Sequence, residues 1–336
     1  MKPLMGIHHV TAITSSAEKI YAFFTDVLGL RLVKKTVNQD DIDTYHLFFA
    51  DAVGSPGTDM TFFDFAGASP AQKGSDALSR TGFRVLTDAS LTYWERRFDH
   101  FGVVHQGVKT LFGRKMLYFE DFDQQAYALV SDEGIEGVSA GMPWKEGPVP
   151  EPFAITGLGP MFMCVRDLHR MHAVLTDTLE MEKRQVEGDY TLYEMGEGGN
   201  GASVIIEDNA HLPRGVQGYG AVHHVAFRVR NRQDIDAWTE RLRAIGAPNS
   251  GFVERFYFQS LYTRLYPGIL FEFATEGPGF IDDEESVETL GERLALPPRL
   301  RPHRAEIEAR VRPIDTKRSN KTFEKMWFGC EAISKH

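Results

Sequence analysis

The chain has 336 residues, 42% of them hydrophobic, and 47 acidic against 37 basic side chains give a formal net charge of −10. That length supports a sizeable core and more than one domain, while the acidic excess argues against a nucleic-acid binder, which needs a basic face. Two scattered cysteines, Cys164 and Cys330, exclude a disulfide framework or a thiolate metal site, and no stretch reaches the about 18 apolar residues of a membrane span.

In chain order, the first predicted strand is GIHHVTAIT (6–14). MKPLMGIHHV carries no apolar leader, so no signal peptide is expected and a cytoplasmic location is the default. A helix follows, with Ile20, Phe24, Val27 and Leu28 on one face and Gly29 as its stop. Ser15 is its expected N-cap, with Glu18 completing a capping box. TYHLFFA (44–50) and MTFFDFA (60–66) close this unit as strands. The second unit repeats the order: strand SRTGFRVLT (79–87), cap Asp88, a helix lined by Leu91, Trp94, Phe98 and Phe101, stop Gly102, then strands 115–121 and 126–132. GMPWKEGPVPEP (141–152) is a Pro/Gly-rich linker.

The third unit has strand GLGPMFMCV (157–165), cap Asp167, a helix lined by Leu168, Met171, Leu175 and Leu179, and strands 189–195 and 202–208. GEGGNG (196–201) lies between two strands, so it is read as a hairpin turn rather than a phosphate loop, which would join a strand to a helix. The fourth has strand AVHHVAFRV (221–229), cap Asn231, a helix lined by Ile235, Trp238, Leu242 and Ile245, stop Gly246, and strands 258–265 and 269–275. Beyond about residue 277 the pattern becomes acidic and then helical. The basic run RLRPHRAEIEAR (299–310) is interleaved with acids and reads as a solvated helix face. The expected fold is α+β, with four strand–helix–strand–strand–strand modules paired into two domains: 1–140 (modules one and two), linker 141–152, 153–280 (modules three and four), and a C-terminal helical tail over 281–336.

Two strands carry adjacent histidines. Strict alternation puts Val222, His224, Ala226 and Arg228 on one face of AVHHVAFRV, and His223, Val225, Phe227 and Val229 on the more apolar, helix-packed face. In ILFEFAT (269–275), Glu272 falls on the face away from the helices. Superposing the HHV steps matches His9 to His224; modules two and three carry Arg80 and Pro160 there. One histidine in a strand is most simply structural. Two at equivalent places, with a carboxylate whose unpaired burial would be costly, form a candidate facial triad suited to Fe(II) or Mn(II).

These residues resemble the vicinal oxygen chelate superfamily, built from βαβββ modules, which holds glyoxalase I, bleomycin-binding proteins and extradiol dioxygenases. Its signature is matched by His9-Val10, His224-Val225 and Gly268 through Glu272. GIHHVTAIT, VLGLRLVKKTVNQDD, ERFYFQSLY and PGILFEFATEGPGF, with other motifs over residues 4–310, are similar to the bacterial ring-cleaving dioxygenases associated with hydroquinone and quinone resistance. The resemblance implies Fe(II), with Mn, Zn or Ni as alternatives, bound by His9, His224 and Glu272 where module one meets module four. It implies a small hydroquinone- or catechol-like aromatic and O2 as substrates, a role in aromatic detoxification or catabolism, and a possible homodimer. Tyr262 resembles a site tyrosine able to bond a substrate oxygen or donate a proton. Tyr257 and His46 are further catalytic candidates, though His46 between apolar neighbours also reads as structural. Phe62, Phe256 and Tyr262 are expected to line the cavity. Asp64 superposes on Glu272 as a possible fourth ligand, an arrangement like that of glyoxalase I. A glyoxalase-type lyase or isomerase is therefore the alternative function, and a metal-free sequestering protein the third.

Overall fold

The computed structural model describes residues 2–282 and 284–330. Its strands are β1 (Ile7–Ile13), β2 (Arg31–Asn38), β3 (Asp41–Ala50), β4 (Asp59–Phe63), β5 (Ala77–Val85), β6 (His105–Leu111), β7 (Arg114–Glu120), β8 (Ala126–Ser131), β9 (Ile155–Val165), β10 (Glu182–Glu187), β11 (Tyr190–Glu194), β12 (Ser203–Asp208), β13 (Ala221–Val229), β14 (Asn249–Glu254), β15 (Gln259–Tyr266) and β16 (Ile269–Thr275). Helices α1 (Ala17–Ala22), α2 (Asp88–Phe101), α3 (Leu168–Ala173) and α4 (Arg232–Ala244) each follow the first strand of a module, and α5 (Arg304–Arg310) lies in the tail. No helix among the described residues is long and apolar enough to cross a membrane.

The caps show how locally the helices are specified. Asp167 and Asn231 cap α3 and α4 as expected, each accepting from a backbone N–H three residues on. Two caps sit one residue from the expected place. Ser16, not Ser15, accepts from the Lys19 N–H, because the Ser15 hydroxyl is bonded to Asp123 instead. Thr87, not Asp88, caps α2. Gly102 ends α2 in the left-handed region, at φ 65°. Helices α1 and α3 each continue into a π-helical turn, Phe23–Val27 and Val174–Thr178.

Two curled eight-stranded sheets carry the chain, in the orders β14-β15-β16-β13-β1-β4-β3-β2 and β10-β11-β12-β9-β5-β8-β7-β6. The first unites modules one and four; the second unites modules two and three. Pairing into sheets is thus nested rather than sequential, and each half of the chain, 1–140 and 153–280, supplies one module to each sheet. Where the chain passes between sheets, two connections run side by side through the bridges Pro70↔Tyr219, Gln72↔Val216 and Ser75↔Arg214. GEGGNG joins β11 to its antiparallel neighbour β12, as a hairpin connection should.

Helices cover one face of each sheet, with Trp94 and Trp238 fully buried and Trp238 stacked on Phe273 at 4.8 Å. The opposite faces differ. In the second sheet Met116, Ala128, Phe162, Leu192 and Ile205 fill the hollow. Arg80 lies across Tyr118 there, its guanidinium 3.9 Å from the ring centroid, and donates to the Tyr127 carbonyl. In the first sheet Val33, Phe48, Tyr257 and Phe258 pack under Phe280 and Leu290, which begin the tail. The fully buried Lys34 ammonium binds Glu285 at 2.7 Å and Asp282 at 3.3 Å, pinning the tail to β2. A cavity remains beside this packed end.

Candidate metal centre

The site lies at the seam of the first sheet, where β1 pairs antiparallel with β13. Register partners are Ile7↔Phe227, His9↔Ala226, Thr11↔His224 and Ala12↔Val222. His8 and His223 are passed over, so each strand carries one extra residue, a β-bulge. The bulges break the alternation assumed from the sequence. Ile7 and Val10, three residues apart, both enter the helix-side core, as do Val222 and Val225. His8 therefore stands on the side of His9, and His223 on the side of His224. The expectation that His223 packs against the helices and Val222 faces the cavity is reversed for this reason.

Three donor atoms converge. His9 Nε2 lies 3.1 Å and His224 Nε2 3.0 Å from Glu272 Oε2, and the two nitrogens are 3.3 Å apart. All three residues are buried, and among the described residues they form the one group of His, Cys, Asp or Glu side chains placed to share a metal ion. Parallel pairing of β13 with β16 sets Ala226 against Glu272 and so brings Glu272 beside the histidines. Ser260 Oγ donates to Glu272 Oε1 at 2.5 Å, which turns Oε2 inward.

His8 fixes the tautomer of His9. His8 Nε2 donates to the Thr275 carbonyl, and burial pushes the His8 imidazole down to about 3, so it is neutral and its Nδ1 is an acceptor. The His9 Nδ1–H then donates to His8 Nδ1 at 2.9 Å, which leaves the His9 Nε2 lone pair directed at the cluster. His223 Nδ1 meets His224 Nδ1 at 2.8 Å, and burial likewise pushes His223 down to about 3. Burial also lowers His224. Glu272 Oε2 has no hydrogen-bond donor. Two imidazole nitrogens and a carboxylate oxygen thus converge in a buried site, a set that a cation would satisfy.

A cavity of about 330 Å³ opens onto His9 and His224. Tyr262 lines it, its ring edge-on to His224 at 6.0 Å and its hydroxyl accepting from Arg255 Nε at 3.2 Å. His46 lines it too, between Phe48 at 4.0 Å and Phe63 at 4.4 Å, and burial holds it well below its ordinary value. Its Nε2 bonds Thr61 Oγ1, which bonds Thr11 Oγ1 at 2.7 Å. Tyr257 reaches the wall with its hydroxyl buried, wedged by Phe280 and the Lys34 ammonium. Two expectations fail by alternation: Phe62 packs in the helix-side core, and Phe63 and Phe65 line the cavity in its place. Phe256 stands outside the lining, while its neighbours Arg255, Tyr257 and Phe258 belong to it.

Asp64 is not part of the cluster. The pairings Val10↔Met60 and Val225↔Phe271 place Thr61, not Asp64, at the position equivalent to Glu272. The Asp64 carboxylate is bonded to the Tyr45 N–H and to Arg312. Direct matching of FFDFA to LFEFA had shifted the register by three. Arg255, His8 and His223 escaped the sequence reading as site residues; the signals were the doublet HH itself and an arginine beside the site aromatics in ERFYFQSLY.

This arrangement belongs to a class of fold that recurs. Residues 6–125 and 157–276 match the family model of the Glyoxalase/Bleomycin resistance protein/Dioxygenase superfamily, and the chain belongs to that superfamily. Within it, the chain is 44% identical over 314 residues to a Bacillus subtilis (strain 168) protein bearing the provisional name ring-cleaving dioxygenase MhqA, covering 92% of this chain and 98% of that protein. It is 29% identical to the chlorohydroquinone/hydroquinone 1,2-dioxygenase of Sphingobium indicum, over 88% of this chain and 92% of that protein. A solved structure of a provisionally named dioxygenase from Bacillus subtilis superposes with TM-score 0.86 at 34% identity, covering 94% of this chain and 99% of that one. Glyoxalase I from Zea mays shares the fold at TM-score 0.57 and 12% identity, over 81% of this chain and 92% of that one.

Proposed function

We propose that the chain is a metal-dependent ring-cleaving dioxygenase that takes a hydroquinone- or catechol-type ring and O2, with Fe(II) held by His9 Nε2, His224 Nε2 and Glu272 Oε2. The observation that carries this reading is the meeting of two imidazole nitrogens and a carboxylate oxygen at 3.0–3.3 Å from one another. Those separations would let the three atoms hold one small divalent ion. A two-histidine, one-carboxylate face leaves positions open for small molecules and suits non-haem Fe(II). The name of the Sphingobium relative supports a hydroquinone as the substrate type.

When bound, the ion supplies the electronic link between an electron-rich ring and O2. The chain's own residues do the rest. Phe48, Phe63 and Phe258 give the ring an apolar, water-poor wall. The Arg255 guanidinium favours a ring oxygen that has lost its proton. Burial raises the Tyr262 hydroxyl, so it remains protonated; since it already accepts from Arg255, its own proton is free to be donated to a ring oxygen. His46, neutral in its aromatic slot, anchors the Thr61–Thr11 hydroxyl pair.

The test is anaerobic loading with Fe(II), followed by O2 uptake with a panel of hydroquinones and catechols, for the unmodified protein and for His224→Ala. Ring-dependent O2 uptake that the variant lacks is expected. Stoichiometric metal with no uptake from any ring would sink the reading. The glyoxalase-type alternative has less support: the relatives matched in sequence over most of the chain are named as dioxygenases, and Asp64, its candidate fourth ligand, is tied to Tyr45 and Arg312.

A further inference from the structure

Beyond the site itself, the structure carries a clasp across the cavity mouth. Strands β14 and β2 are the outermost strands of the first sheet, and the curl of the sheet brings their ends together. Asp40 lies in the turn after β2, and Arg255 in the connection after β14. Arg255 Nη1 donates to Asp40 Oδ2 at 2.9 Å. Gln39 Nε2 donates to the Arg255 carbonyl at 2.7 Å, and Arg299 from the tail donates to the Gln39 carbonyl at 2.8 Å. The backbone just beyond Arg255 is constrained as well: Phe256 holds φ at 71°, unusual for a bulky residue, with its N–H bonded to Glu254.

Asp40 is the outer member of this arrangement, its side chain 69% exposed against 22% for Arg255. Among the described residues its carboxylate makes one hydrogen bond, to Arg255. With Nη1 bonded to Asp40 and Nε to the Tyr262 hydroxyl, the guanidinium of this cavity-lining residue is held at two corners. A free arginine samples many rotamers, so fixing one before the substrate arrives removes an ordering cost from binding.

Resting on the ring-cleavage reading, we infer that Asp40 is a positioning residue, which acts through Arg255 to set the affinity of the cavity for rings carrying an ionised oxygen. Asp40 lines the exposed rim of the cavity but is not among the three candidate ligands, so its effect is expected on substrate binding rather than on turnover or metal affinity.

The experiment compares Asp40→Ala, Asp40→Glu and Asp43→Ala in the Fe(II)-loaded full chain. Asp43 is a nearby surface acid that pairs with Arg310, and it serves as the control for lost negative charge. Asp40→Ala is expected to raise KM about three- to tenfold, from the freedom returned to one long side chain, with kcat within about twofold. Asp40→Glu recovers part of the loss, and Asp43→Ala leaves KM unchanged. An exposed ion pair adds little to stability, so the melting temperature stays level. Raising ionic strength from low to moderate levels increases KM of the unmodified protein and has less effect on Asp40→Ala. A KM that is unchanged or lower in Asp40→Ala overturns the inference, and a lower one would make Asp40 a competing counter-ion. The dissociation constant of 4-nitrocatechol under nitrogen separates this inference from the reading beneath it. If no ring is turned over but the probe still binds more weakly to Asp40→Ala, the function is wrong and the clasp stands. Equal binding to both proteins overturns the clasp, and no binding to the unmodified protein overturns both.

Discussion

His8 and His9, neighbours in the chain, stand on the same side of β1 and are joined Nδ1 to Nδ1 at 2.9 Å. Neighbours in a regular strand face opposite ways. The bulge that brings this pair together recurs at His223 and His224, where the distance is 2.8 Å. On the proposed reading, each doublet pairs a metal donor with the group that orients it.

Replacing an orienting partner should weaken the metal without unfolding the chain. His8→Phe leaves the His9 Nδ1–H without an acceptor and frees the ring to turn. Metal affinity is expected to fall about 10- to 100-fold, the usual cost of losing such a partner, as measured by chelator competition. His223→Phe should behave alike. Affinity equal to that of the unmodified protein in both variants would mean that the doublets are packing features.

Glu272→Gln should separate metal binding from the stability of the metal-free protein. Ser260 keeps the carbonyl oxygen at the Oε1 place, so the new amide nitrogen takes the Oε2 place and donates to the lone pairs of His9 and His224. The metal-free variant is expected to melt above the metal-free unmodified protein. The gain on adding metal, about 2.7 kcal/mol at 100 times Kd, should be present in the unmodified protein and absent in the variant. Calorimetry with and without Fe(II) under nitrogen reads both effects; a variant that retains the metal-dependent gain would remove Glu272 from the ligand set.

Lys34→Met tests the attachment of the tail. It leaves the fully buried Glu285 carboxylate without its cation, and breaking such a pair costs about 3–5 kcal/mol. Adding Glu285→Leu should return most of the loss. Urea unfolding decides, and a single variant as stable as the unmodified protein would show that the pair does not hold the tail.

Asp121 should give the protein a pH-dependent stability remote from the metal site. Burial pushes its carboxyl up from 3.8 to about 7, against the bonds it accepts from the Tyr127 hydroxyl and the Gln125 N–H. Between these values the folded chain keeps a proton that the unfolded chain has released. The group's contribution is thus complete below pH 4 and is lost as pH rises towards 7, a change on the order of 4 kcal/mol. Asp121→Asn cannot titrate. Its stability relative to the unmodified protein should improve steadily from pH 4 to 7 and then level off; a constant difference across that range would contradict this account.

The four modules were legible in the sequence because each helix repeats its apolar spacing and each first strand is followed by a capping residue. His9, His224 and Glu272 stood out because polar side chains in otherwise apolar strands need a partner. What remained hidden depends on register. Val222 and His223 exchange sides at a bulge, Phe62 and Phe63 divide between core and cavity, and Asp64 misses the Glu272 position by three residues. A bulge is a property of two paired strands, and neither strand alone announces it. The nesting of the sheets is equally non-local, since each module is built alike and nothing within one of them names its partner.

That nesting has a consequence for how the protein is made. His9 and His224 are 215 residues apart, so as the chain leaves the ribosome β1 must wait with an unpaired edge until the fourth module emerges. Modules two and three lie between, and their sheet can close first, while β1 keeps an edge open to wrong pairing. Any chain released before the final strand of its sheet lacks Glu272. On the proposed reading, such a chain would lack one of the three ligands and could not complete the site that handles O2.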